Sequence, residues 1–215
     1  PPDVGPNSPW WDRYKPFADA CRRLCWLNTD SNHVCSLAIL GLNDYLPWVA
    51  AKVCFQNQRD FNYLEARHLW EDARVESDGI HIAGMHYKAL ILEFDPPPKA
   101  KEALQTLDEA GRLIRWNKDK NKASLRKTID CLIPVDVSVI PAMWNLRVRH
   151  VIKDGTHYYI VFNEGQKDLA FKLRTLAEGR RFSIDPETGH QIETDPHGLL
   201  QMRPHELKVF RIERS

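Results

Sequence analysis

"HVCSLAILGL", residues 33 to 42, decides how the chain is read. A half-buried strand alternates apolar and polar side chains. This run is apolar on both faces, as a central strand is when helices cover its sheet on each side. Its neighbours fit that role. "LPWVAAKVCFQNQ" (46–58) reads as a helix and "DFNYL" (60–64) as a second strand. In "EDARVESDGIHIAGMHYKALILEF" (71–94), Ala73 to Glu76 and Ile80 to Ile82 alternate around Ser77-Asp78-Gly79, the pattern of a short hairpin. Tyr87 to Phe94 is another fully apolar strand. "PPPKAKEALQTLDEAGRLIRWN" (96–117) predicts a proline-started helix ending near Gly111, then a strand over Arg112 to Trp116. Strands and helices in this alternation describe an open parallel sheet with right-handed crossovers.

Upstream, "PPDVGPNSPWWDRYKPFADACRRLCWL" (1–27) begins as a proline-rich lead-in. A helix is expected from Ser8 as N-cap with Pro9 in its first turn, and Phe17, Ala20, Cys21, Leu24 and Leu27 recur at helical spacing. The start at Pro1 reads as a cut through something longer. Downstream, "NKDKNKASLRKTID" (117–130) turns to Lys, Asn and Asp, a solvated connection or a polar helix between domains. It has no interleaved aromatics, so it does not read as a nucleic-acid site. From Val135 the period becomes that of short strands: "DVSVI", "NLRVRHVI", "HYYIVFN", "DLAFKLR", "RRFSI", "HQIE", "GLLQM" and "ELKVFRI", with turns marked by "KDGT" and "NEGQ". This is the pattern of an antiparallel β-sandwich. The chain is thus expected to be α/β over 1–130 and all-β over 131–215.

Composition excludes several classes. Lys plus Arg (30) nearly balances Asp plus Glu (29), so no global field draws the chain to nucleic acid or an anionic membrane. No apolar run reaches the roughly 20 residues that span a bilayer. Cys21, Cys25, Cys35, Cys54 and Cys131 are odd in number and lack CxxC spacing; they read as buried free thiols, which suits a soluble protein of a reducing compartment such as the cytoplasm. The histidines show no HxxxH or HxH pair, so no metal ligands are assigned.

Two places invite a catalytic reading. In "SIDPETGHQIE" (183–193), Asp185 and Glu187 could be the two carboxylates of a glycosidase. They also stand where a turn joins two strands, with Pro186 fixing one φ and Gly189 free to take a positive one, and the turn is the reading adopted. In the first half, a phosphate loop should follow the first strand and a nucleophile elbow should join a strand to a helix. "NDYLPW" follows the one and "DPPPKA" the other, with no GxGxxG and no flanked Ser or Cys. No catalytic and no cofactor-binding residue is assigned.

"SPWWDRYKPFADACRRLCWL", "VCSLAIL", "ARVESDGIHIAGMHYKALIL" and "AGRLIRW" together resemble one module of large glycoside hydrolases, typified by family 106 α-L-rhamnosidases and relatives often labelled family 2. "NLRVRHVIKDGTHYYIVFNEG" and "FSIDPETGHQIE" are similar to the β-domain that follows it there. The usual glycine-rich exit from the first helix is replaced by "NTDSNHV". The resemblance implies a flavodoxin-like fold, like that of class I glutamine amidotransferases but without their catalytic Cys, placed after a catalytic (β/α)8 barrel that holds the acid and base. It implies an accessory region that needs no cofactor, with the upstream barrel as its partner. Trp10, Trp11 and Tyr14 would contact that barrel, one indole being turned into the α/β core. The alternatives are a stand-alone carbohydrate-binding module, its seven Trp and six Tyr stacking on an oligo- or polysaccharide, and an amidotransferase- or esterase-type enzyme, which the missing elbow argues against.

Overall fold

The computed structural model describes residues 5–117 and 121–213. In chain order, a 3₁₀ turn (Trp11–Arg13) leads into α1 (Tyr14–Asn28), followed by β1 (Asn32–His33), β2 (Leu37–Gly41), α2 (Val49–Gln56), β3 (Asn62–Glu65) and α3 (His68–Glu71). Next come β4 (Arg74–Glu76), β5 (Gly79–Ile82), β6 (Met85–Tyr87), β7 (Ala89–Leu92), α4 (Pro98–Ala103), α5 (Gln105–Glu109), β8 (Leu113–Arg115) and α6 (Lys122–Leu132). The remainder is strands: β9 (Val137–Ile140), β10 (Leu146–Lys153), β11 (Thr156–Asn163), β12 (Leu169–Thr175), β13 (Arg180–Ile184), β14 (Gln191–Thr194), β15 (Leu200–Met202) and β16 (Leu207–Glu213). These elements form two compact units. One runs to Val34 and resumes with Val148–Lys172 and Ala177 onward; the other comprises Cys35–Arg147 and Leu173–Leu176.

The second unit holds a parallel sheet in the order β3-β2-β7-β8. Counting only its own strands, that order is 2-1-3-4, the flavodoxin-like arrangement. β2 shows why the opening run is apolar throughout. Leu37 and Ile39 enter a core with Ala50, Val53 and Cys54 of α2 and Leu125 and Ile129 of α6. Ala38 and Leu40 enter another, with Leu104, Leu107, Ile80 and Tyr87. Of the two readings of 117–130, a solvated connection or a polar helix, the described residues form the helix, corrected in one respect: α6 is amphipathic, and Leu125 and Ile129, one turn apart, seal one face of the sheet. Residues 118–120 of that segment lie outside the described residues. The run Tyr87 to Phe94 is also divided. Tyr87 ends an antiparallel meander, β4-β5-β6, and the parallel strand begins at Ala89. Arg59, buried, holds Asp130 of α6 through two bonds of 2.5 and 2.9 Å and donates to the carbonyls of Asn57 and Val137.

The other unit is built on a six-stranded antiparallel sheet, β1-β10-β11-β16-β13-β14, and also contains the β12–β15 pair. Tyr159 and Val161 of β11 and Phe210 and Ile212 of β16 point to one side of the sheet, all buried. Tyr158, Ile160 and Val209 point to the other, where Leu24 and Leu27 of α1 cover them. The first helix therefore belongs with the antiparallel sheet and not with the α/β unit expected over 1–130. The α-helix also starts later than Ser8. Begun there, it would carry Pro16 in its interior, where the ring clashes with the preceding turn; beginning at Tyr14 puts Pro16 in the first turn, where no intrahelical N–H is needed. The thiols are corrected as well: Cys35 and Cys54 are buried, but Cys25 and Cys131 are exposed.

Candidate functional site

A flavodoxin-like sheet takes its ligand beyond the carboxyl ends of its strands, where the strand order reverses. Here that crevice lies past β2 and β7. Glu93 follows β7 directly, and its carboxylate accepts the backbone N–H of Ala50 in the first turn of α2. A helix N-terminus is a ready anion site, and in this molecule the chain's own side chain fills it. Burial raises the Glu93 carboxyl above its ordinary value, with the Ala50 N–H partly opposing that rise. On the same helix, desolvation pushes the buried Cys54 thiol up, which disfavours its thiolate.

The Asp185–Gly189 segment joins β13 to β14, whose register runs from Arg181↔Thr194 to Ile184↔Gln191. Gly189 takes φ +77°, and its N–H donates to the Asp185 carbonyl at 2.7 Å. The Asp185 carboxylate accepts the Glu187 N–H at 2.8 Å and the Thr188 hydroxyl at 2.9 Å. Its acceptor positions are thus committed to shaping the turn. Arg23 of α1 braces the tip, donating to the carbonyls of Glu187 at 2.6 Å and Pro186 at 3.2 Å. Asp185 is thus held within the turn, and Glu187 is exposed at its tip.

Between α1 and this hairpin lies a cleft of about 400 Å³, within the range of small-molecule sites. Leu24, Leu27, Val209 and Ile184 give it an apolar floor, and Arg23, Gln191 and Arg211 supply polar groups. Trp26 stands at its edge, 55% exposed. The Tyr158 ring meets it edge-on at 6.5 Å, and Lys153 Nζ sits 5.0 Å above the indole. Arg211 keeps its Nε buried without a partner among the described residues.

Trp10, Trp11 and Tyr14 form an aromatic group at the entry to α1. Trp11 stacks on Tyr14 at 5.3 Å and 6°, and Trp10 tilts against the same ring at 6.1 Å. The expectation that one indole turns inward is corrected: Trp10 is 43% and Trp11 38% exposed, because Trp10 caps and Trp11 begins the 3₁₀ turn ahead of the helix that buries Leu24 and Leu27. A cluster not singled out in the sequence lies on the meander, where Asp78, His81 and His86 bring a carboxylate and two imidazoles together. Its signal was present as HxxxxH. Ala83 and Gly84, both at positive φ, make a two-residue turn that sets the two histidines directly opposite each other.

No protein-family model and no curated protein sequence matches the chain. Among solved structures, its fold is similar to part of a Novosphingobium rhamnosidase: TM-score 0.70, 13% identity, 99% of this chain and 26% of that one. A Bacillus circulans β-galactosidase gives 0.60 and 10%, over 97% of this chain and 46% of that one. A GH42 β-galactosidase from G. stearothermophilus gives 0.59 and 11%, over 99% and 45%. The chain thus spans less than half the length of each. Among the described residues, no helix is long and apolar enough to cross a membrane.

Proposed function

We propose that this chain is the non-catalytic accessory region of a carbohydrate-degrading glycoside hydrolase, bracing an upstream (β/α)8 catalytic domain of the same polypeptide. The observation that carries this reading is the fold likeness. Nearly the whole chain, both units included, corresponds to about a quarter of the rhamnosidase and under half of the β-galactosidases. The self-filled crevice at Glu93 and the committed carboxylate of Asp185 support a role without chemistry of its own. We assign the contact with the catalytic domain to Trp10, Trp11 and Tyr14.

A second reading, carbohydrate binding by a stand-alone module, is favoured by the Trp26 cleft alone, whose exposed indole beside polar groups is the kind of surface on which a sugar ring stacks. One panel of nitrophenyl glycosides, rhamnoside and galactoside included, tests both. The accessory reading expects no turnover and no saturable change in tryptophan fluorescence. Turnover that disappears in Glu93→Gln or Glu187→Gln would overturn it; saturable binding that disappears in Trp26→Ala would establish the second reading.

A further inference from the structure

We propose that Asp78, His81 and His86 form a three-ligand binding site for a divalent transition-metal ion, zinc foremost. The inference rests on the meander and not on the accessory role. β4, β5 and β6 present one face to the core, through Val75, Ile80, Ile82, Met85 and Tyr87. That packing fixes the scaffold from behind, and the opposite face carries Glu76, His81 and His86. Asp78 stands in the two-residue turn between β4 and β5, so the first hairpin delivers the carboxylate and the second the imidazoles.

Distances favour a shared ion. Asp78 Oδ1 lies 3.1 Å from His81 Nε2, and Asp78 Oδ2 lies 3.5 Å from His86 Nε2. Zinc bonds nitrogen and oxygen at about 2.0–2.1 Å in tetrahedral geometry, which sets ligand atoms about 3.3 Å apart. The two observed separations bracket that edge. Glu76 Oε2 lies 3.7 Å from His81 Nε2, beside the group of three, and Arg74 holds the other oxygen of the same carboxylate at 3.3 Å. The two imidazoles stack at 4.1 Å and 14°, so their Nε2 atoms converge on one side. His81 Nε2 hydrogen-bonds to the Asp78 carboxylate at 3.1 Å and His86 Nε2 to the Asp78 carbonyl at 3.2 Å. A cation bound at Nε2 takes the place of those hydrogen bonds, each neutral ring then carrying its proton on Nδ1.

Gly79 is the independent sign that the arrangement is built. A Cβ there would come within 2.6 Å of His86 Nε2 and 2.5 Å of the Tyr87 carbonyl. The His86 ring occupies the room that a side chain at 79 would need. Imidazole and carboxylate together suit zinc better than calcium or magnesium, which prefer oxygen alone. Bound there, the ion would tie the turn of the first hairpin to the second. The His68, Glu71 and Asp72 group has one imidazole on a single helical turn and serves as the control.

The test is titration of the full chain with cobalt(II) as a spectroscopic probe and with zinc in competition. The expected result is one equivalent of cobalt with tetrahedral d–d absorption, no thiolate charge-transfer band, and displacement by zinc. His81→Gln and His86→Gln should each weaken binding by at least about tenfold, and Gly79→Ala should act in the same direction by displacing the His86 ring. Asp72→Asn should leave binding unchanged, and far-UV circular dichroism reports whether each variant is folded. Absence of saturable uptake would overturn the proposal. So would a thiolate band, or uptake indifferent to both histidine variants.

Discussion

Gly189 holds φ +77° with its Cα turned toward Arg23, and a Cβ there would lie 3.1 Å from Arg23 Nε. A β-branched residue at that position suffers backbone strain of roughly 1–2 kcal/mol or more. It also crowds the guanidinium that braces the turn through two carbonyls. Gly189→Val should therefore lower stability in denaturant unfolding by about 2 kcal/mol. Asp185→Asn combined with Glu187→Gln should cost about 0.5 kcal/mol, since Asn keeps an oxygen for the Glu187 N–H and Glu187 is exposed. Equal losses would argue against the turn. Asp185 makes the same point through pH. Burial raises its carboxyl, but the bonds from Glu187 and Thr188 and the charge of Arg23 together lower it below its ordinary value. A depressed acid stabilises the fold above its unfolded pKa, about 3.9, and that contribution is lost as pH falls through the folded value. Amide-exchange protection in β13 and β14 should fall over that acid range in the parent chain and less so in Asp185→Asn.

The helix α6 is the element whose role was least visible in the sequence. Lys, Asn and Asp around it hide two apolar residues, and two positions make a weak periodic signal. In the folded chain Leu125 and Ile129 are almost fully buried against the sheet. Leu125→Ala should cost about 2–4 kcal/mol, while Lys122→Ala, on the exposed side, should stay within about 0.5 kcal/mol; comparable small losses would return the segment to a mere connection. The strands were far more legible. Fully apolar runs marked β2 and β7, and alternation with turn residues marked the eight strands from β9 to β16, because those patterns are imposed locally by the pleat. Partners at long range were not legible. The stripe of Leu24 and Leu27 declares that α1 covers something, but not that it covers Val151, Tyr158 and Val209. The same limit hid the His81–His86 pair: ligand spacings such as HxxxH belong to one element, and this pair is made by a turn between two.

For the molecule as a whole, the exposed stack of Trp10, Trp11 and Tyr14 is the natural place for the proposed contact with a catalytic domain. Without that cover, the chain should self-associate through it. Sedimentation of the isolated chain should show reversible association that Trp10→Ser with Trp11→Ser removes while the fold persists; a monomer at high concentration, indifferent to both substitutions, would mean that the stack is no docking surface. One further consequence follows from the way the α/β unit interrupts the antiparallel one, leaving it at Val34 and rejoining it at Val148. β1 and β10 pair as Asn32↔Ile152 and His33↔Val151, so both ends of the interruption issue from a single ladder. On a ribosome the chain emerges in one direction only. At about 5–20 residues per second, α1 waits on the order of ten seconds for the strands that cover Leu24 and Leu27. All of the interrupting unit but Leu173–Leu176 is made in one run, Cys35–Arg147, and its parallel sheet can form by then. α1 is thus made before the interrupting unit and covered after most of it, and a nascent chain carries a formed parallel sheet together with an uncovered helix.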